Sequence, residues 1–90
     1  MSYKLILLPD AEQDLDEHIK AGNKLLLKKI YRLFEELATH PDTGTGKPEY
    51  LKHLSLWSRR INDKHRMLYK IDGYKVTVFV LSLWGHYDDK

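Results

Sequence analysis

Apolar residues open the chain as a short, nearly unbroken run. Tyr3-Lys4-Leu5-Ile6-Leu7-Leu8 has the density and length of a buried strand. Pro9-Asp10 ends it and opens a helix: proline's fixed φ suits a first helical turn, and the acids that follow favour the positive end of the helix dipole. Ala11, Leu15 and Ile19 recur every four residues and predict one apolar stripe. Ala21-Gly22-Asn23 closes this helix, and Asn23 is placed to cap the next. The second helix is predicted over 24–39, with Leu26, Ile30, Leu33, Phe34 and Leu37 as its core stripe. Lys24, Lys28, Lys29 and Arg32 line much of the other side, and Pro41 ends it. A short turn between two helices makes a helical hairpin.

The stretch 40–48 is rich in Gly, Pro, Thr and Asp and reads as a loop. Beyond it the period changes to two. Strands are predicted over 56–61, 65–71 and 74–83, joined by Asn62-Asp63-Lys64 and by the hairpin signal Asp72-Gly73. The last strand is apolar on both faces around Val78-Phe79-Val80, which predicts a central position. The outline is β-α-α-β-β-β: one α+β domain over 1–90, an antiparallel β-sheet with an N-terminal helical hairpin packed on one face. Ninety residues suffice for one modest core.

Composition narrows the chemistry. There is no cysteine, so disulfides and thiolate metal sites are excluded. No run is long enough to cross a membrane, and no basic-then-apolar leader is seen, so the expectation is a cytoplasmic protein without a membrane partner. The net charge is only +2, but it is unevenly spread. Residues 1–23 hold two lysines against five acids. Residues 47–70 hold Lys47, Lys52, Arg59, Arg60, Lys64, Arg66 and Lys70 against Glu49 and Asp63, a local balance of +5. Such a stretch suits an anion such as nucleic acid, or is an ordinary solvated face.

Three clusters carry candidate chemistry: 46–53, 57–66, and Gly85-His86-Tyr87. Cutting RNA needs a base for the 2′-hydroxyl, positive groups for the transition state, and an acid for the leaving 5′-oxygen. Carboxylate and histidine fill the proton roles, and arginine's fork matches phosphate oxygens while never losing its charge. Glu49, Arg60, Arg66 and His86 supply one such set, and Tyr50, Trp57 or Tyr87 could stack on a base. Each also has an ordinary reading: Glu49 as a surface charge, Arg59-Arg60 as edge protection, Arg66 as a turn residue, and His86 as an idle terminal side chain. His53, His65 and His86 match no compact zinc spacing, so no metal or other cofactor is expected.

At these clusters the sequence resembles the YoeB/Txe toxins of the RelE-like superfamily. The resemblance is carried by Gly46-Lys47-Pro48-Glu49, Leu51-Lys52-His53, Trp57-Ser58-Arg59-Arg60-Ile61, His65-Arg66, Leu68-Tyr69 and His86-Tyr87. It implies a RelE-like, microbial-ribonuclease-like fold. It implies an endoribonuclease that cuts messenger RNA, mainly in the ribosomal A site. It further implies a YefM-type antitoxin as partner, operator DNA bound only through the toxin–antitoxin complex, and homodimer formation in some members. By position, Glu49 is then the general base, His86 the general acid and Arg66 the transition-state arginine. Arg60, Lys52 and Tyr87 become phosphate or substrate contacts, and Lys47, Arg59, His53 and His65 contacts to RNA or ribosome.

The chain departs from the family pattern in three places. Leu54-Ser55-Leu56 is a shorter link that lacks a glycine, Leu83-Trp84-Gly85 is less polar, and Asp88-Asp89-Lys90 follows His86-Tyr87. The rival reading is a non-catalytic basic module that binds antitoxin, RNA or operator DNA as a co-repressor. Such a binder needs the basic residues but neither Glu49 nor His86, since a carboxylate in a phosphate site weakens binding unless it has a task.

Overall fold

The computed structural model describes residues 2–85. The chain order is β1 (Lys4–Leu7), α1 (Pro9–Ala21), α2 (Lys24–Thr39), β2 (Glu49–Leu51), β3 (Leu56–Arg60), β4 (Arg66–Asp72) and β5 (Thr77–Ser82). The strands form one sheet in the order β1-β5-β4-β3-β2. The two helices pack on one face of it. Among the described residues no helix is long and apolar enough to cross a membrane.

Local chemistry accounts for the helix ends. Pro9 stands in the first turn of α1, and Gly22 ends it in the left-handed conformation, its amide reaching His18 and Ile19 carbonyls. The Asn23 side chain accepts from the Leu26 amide and starts α2 as its sequence predicts. The core of α2 is Leu26, Ile30, Leu33 and Leu37, again as its spacing predicts. α1 turns slightly off its expected stripe. Ala11 is fully buried and Leu15 packs on the core, but Ile19 is 48% exposed. His18, seven residues from Ala11, occupies the inward position instead, completing an i, i+4, i+7 face.

The sheet departs from the expected antiparallel meander in two ways. β1 pairs with β5 in parallel, Lys4 opposite Thr77 and Leu7 opposite Val80, so the sheet is mixed. β2 is an additional strand, pairing Glu49 with Ser58 and Leu51 with Leu56. The interior place predicted for the last strand holds: β5 lies between β1 and β4, with Val78 and Val80 wholly buried on the helix side. It begins at Thr77 rather than at residue 74. The turn runs over 73–76, and the Val76 carbonyl is taken by the Lys4 amide of the neighbouring strand (2.8 Å).

The alternation along β3 sets the two faces apart. Trp57 and Arg59 face the helices, opposite Tyr69 and Met67 of β4, while Ser58 and Arg60 face away. Arg59 is wholly buried, and its five N–H groups are all used. Nε donates to the Tyr69 hydroxyl (3.1 Å). Nη1 donates to Glu36 Oε1 (2.8 Å) and the Thr45 carbonyl (3.2 Å). Nη2 donates to the carbonyls of His40 (2.9 Å) and Thr43. Tyr69 in turn donates to the Pro41 carbonyl (2.7 Å). The loop 40–48 has little apolar content of its own; this arginine holds it to the sheet. The expectation that Arg59 contacts RNA is therefore corrected: it is saturated inside the protein, on the face away from Arg60 and Arg66.

Burial pushes the Glu36 carboxyl up, but hydrogen bonds from Thr45 and from Arg59, together with the Arg59 charge, outweigh it and hold its pKa below the ordinary value of 4.5. Burial likewise pushes the Tyr69 hydroxyl above its ordinary 10.0, only partly offset by Arg59.

Replacing Arg59 by Met takes from Glu36 its buried counter-charge, leaving it the Thr45 amide and the more distant Arg32, and leaves three loop carbonyls bare. Urea unfolding followed by circular dichroism should show a loss of about 3–5 kcal/mol, as for a broken buried pair. A loss under about 1 kcal/mol would show that the loop is held by other means. Because the Glu36 pKa is depressed on folding, its contribution is complete above the unfolded carboxylate value and is lost as pH falls through the folded one. Glu36→Gln should therefore be less stable than wild type at neutral pH, with the gap closing as the pH falls below the unfolded carboxylate value of 4.5. A gap that stays constant below that value would refute the linkage.

Candidate active site

The outward face of β2, β3 and β4 carries a small depression of about 110 Å³ lined by Gly46, Lys47, Glu49, Ser58, Arg60 and Arg66. Two strand registers and the alternation along β3 build it. Glu49 stands opposite Ser58 across β2–β3, Arg60 follows Ser58 on the same face, and Arg60 stands opposite Arg66 across β3–β4. Two arginines directly opposite in an antiparallel pair repel one another. That arrangement weakens the sheet and makes sense where an anion is to be held between them.

The loop enters this face under tight constraint. The Arg60 amide donates to the Gly46 carbonyl (2.7 Å). Gly46 has φ +84°, and a Cβ there would lie 2.7 Å from the Arg60 carbonyl oxygen, so only glycine lets the loop approach β3. Lys47 follows in the left-handed conformation, φ 52°, which non-glycine residues seldom adopt.

Arg66 is fixed from two sides. Its Nη1 donates to the Asn62 carbonyl (3.1 Å), and its amide donates to the Gly85 carbonyl (2.9 Å). The Asn62 side chain in turn accepts from the amides of Lys64 and His65, which shapes the β3–β4 turn. Glu49 and Arg60 are exposed and Arg66 is half-buried. Among the described residues no ion pair joins Glu49 to Lys47, Arg60 or Arg66. The carboxylate is thus next to three cations without being neutralised by contact with any of them, and both signs of charge remain open to a ligand.

The structure brings Lys47, Glu49, Arg60 and Arg66 together and leaves other predicted residues apart. Lys52 and His53 sit exposed on the four-residue turn between β2 and β3, where the short link closes with the Leu54 amide on the Leu51 carbonyl (3.1 Å). Neither lines the depression. His65 accepts from the Gly85 amide through Nδ1 (2.8 Å), a structural tie. Tyr50 and Trp57 pack on each other at 5.6 Å on the helix-side face of the sheet, away from Glu49. His86 and Tyr87 lie outside the described residues. Larger hollows exist, such as one of about 320 Å³ beside α2 lined by Asn23, Leu25, Leu26, Lys29, Ile61 and Asn62, which holds a single lysine and neither a carboxylate nor a histidine. No group of His, Asp or Glu suited to a metal ion occurs among the described residues.

Sequence reasoning missed Glu36, Asp14 and His18, whose partners lie far along the chain. One signal was available for Arg59: it is in phase with Trp57 and Ile61, both apolar, which places it on the inward side of β3.

Comparison with known proteins identifies the family. The family model of the YoeB-like toxin of bacterial type II toxin–antitoxin systems matches residues 9–87. A Toxin YoeB of Synechocystis is 53% identical over 68 residues, covering 73% of this chain and 77% of the relative. A Toxin YoeB of Mycobacterium bovis is 42% identical over 72 residues, covering 78% and 84%. Among solved structures, a YoeB/ParE toxin from Agrobacterium tumefaciens superposes with a TM-score of 0.83 at 31% identity, covering 93% of this chain and 99% of that one. A YoeB dimer from Staphylococcus aureus gives 0.80 at 31% identity, covering 97% and 100%. With a family match running from the first turn of α1 past the last described residue, the chain belongs to the YoeB-like toxins of bacterial type II toxin–antitoxin systems.

Proposed function

We propose that this toxin is an endoribonuclease that cuts messenger RNA on the ribosome in the cytoplasm, by acid–base chemistry without a metal ion. The observation that carries the reading is the depression in which Glu49 shares a face with Lys47, Arg60 and Arg66 without an ion pair to any of them. A purely phosphate-binding surface gains nothing from a carboxylate there.

Glu49 takes the proton of a ribose 2′-hydroxyl. The freed oxygen attacks the adjacent phosphorus, and the bond to the 5′-oxygen breaks, leaving a 2′,3′-cyclic phosphate and a 5′-hydroxyl end. Arg66, with Arg60 and Lys47, stabilises the negative charge that builds on the phosphoryl oxygens; three cations supply the charge compensation that a metal supplies elsewhere. His86 gives the proton to the leaving oxygen, and Tyr87 and Lys52 contact the substrate. The ribosome presents the RNA in a conformation that a 90-residue protein with a shallow site does not impose by itself.

The partner in this reading is a YefM-type antitoxin. A toxin of similar fold from Staphylococcus aureus has been solved as a heterotetrameric YoeB-YefM complex. The antitoxin covers the Glu49–Arg66 face, and the complex, rather than the free toxin, binds operator DNA.

In a purified translation system, wild type should cut at A-site codons. Glu49→Ala, Arg66→Ala and His86→Ala should each lose about a hundredfold or more of that rate while still binding antitoxin. Well-folded wild type that leaves RNA intact with and without ribosomes would sink the nuclease reading in favour of a binding module. In cells, growth arrest on expression should be relieved by the cognate antitoxin. Arrest that persists while antitoxin is bound would refute neutralisation by covering the site.

A further inference from the structure

β5 ends at Ser82, and the next residue, Leu83, is wholly buried. A buried backbone amide or carbonyl needs a partner. Both of Leu83's are found on α1. Its amide donates to Asp14 Oδ2 (2.9 Å), and its carbonyl accepts from His18 Nε2 (2.9 Å). Asp14 and His18 are one helical turn apart and share a face. Two residues further on, the tie passes to β4: the Gly85 amide donates to His65 Nδ1 (2.8 Å), and the Gly85 carbonyl accepts from the Arg66 amide (2.9 Å). Trp84, between them, stacks on His18 with ring centres 4.6 Å apart, and His65 meets His18 edge-on at 4.8 Å. Three consecutive residues are thus clamped between α1 and the strand end that carries Arg66.

His18 is an expensive occupant for a core position. Its ring is wholly buried, and its Nδ1 has no hydrogen-bond partner among the described residues. A leucine or phenylalanine would fill the space without stranding a nitrogen. What the imidazole adds is a donor: because the acceptor is a carbonyl, the proton is assigned to Nε2.

The geometry points to Asp14 and His18 as positioning residues for RNA cleavage. By gripping Leu83 they fix the backbone of residues 83–85 against Arg66, one residue before His86. They touch no substrate and act through that backbone and the Arg66 amide. The inference rests on the nuclease reading above.

The test uses the full chain carrying Asp14→Ala, His18→Phe or His18→Gln. Amide exchange is read at Leu83, and kcat and KM are measured on ribosome-bound messenger RNA. Asp14→Ala alters a half-exposed side chain and serves where His18→Phe fails to fold. Asp14→Ala and His18→Phe should speed Leu83 exchange and lower kcat, each by about tenfold or more, with KM within about threefold of wild type. His18→Gln, which retains an N–H for the carbonyl, should keep most of the rate. Faster Leu83 exchange in Asp14→Ala with an unchanged kcat would overturn the positioning role, and unchanged exchange would overturn the clamp itself. Inactive wild type would fail the nuclease reading and this role together, recognisable because Leu83 exchange would still respond while no chain cuts RNA.

Discussion

One buried guanidinium holds the 40–48 loop in place. Arg59 sits on the helix side of β3 with all five N–H groups bonded, to Glu36, to Tyr69 and to three carbonyls of the 40–48 loop. That loop buries little apolar surface and would otherwise have no reason to adopt one conformation. Arginine suits the task because its planar fork offers five donors in fixed directions and its charge cannot be lost. Lysine has three donors on one atom and could not reach Tyr69 and the loop at once. A buried charge needs a counter-charge, and α2 supplies it through Glu36.

The depression follows from this anchor by sheet geometry. Successive side chains on a strand alternate, so if Arg59 points into the core, Ser58 and Arg60 must point out. The same loop that Arg59 holds on one side of β3 delivers Gly46 and Lys47 to the other and leads into β2 at Glu49, with Gly46 close enough to accept a hydrogen bond from Arg60. Two adjacent arginines thus end in opposite environments: one is neutralised inside, the other keeps its charge open to solvent outside. Facing Arg66 across the ladder, Arg60 contributes repulsion that an anion relieves. The stability lost there is modest beside what the Arg59 network contributes on the opposite face.

The helical hairpin does more than cover the sheet. α2 supplies Glu36 to the loop anchor, and α1 supplies Asp14 and His18 to the end of β5. Each helix therefore reaches one of the two irregular segments that flank the depression. The sheet itself presents Glu49, Ser58, Arg60 and Arg66 in regular register; Gly46 and Lys47 come from a loop fixed by long-range polar contacts.

By itself the sequence determined the two helices with their caps, the interior place of β5 and the α+β class. Apolar period, proline and asparagine act over a few residues and are readable there. It also marked Glu49, Arg60 and Arg66 through a family resemblance, and the structure places these three around one depression. The parallel pairing of β1 with β5, the inward arginine and the ties to Leu83 were decided only in three dimensions. Lys4 and Thr77 meet across seventy-odd residues, as do Asp14 and Leu83 at a separation of 69. Nothing local encodes such pairings; they arise because buried polar groups must find partners, and the partners that satisfy them are chosen by how the helices settle on the sheet.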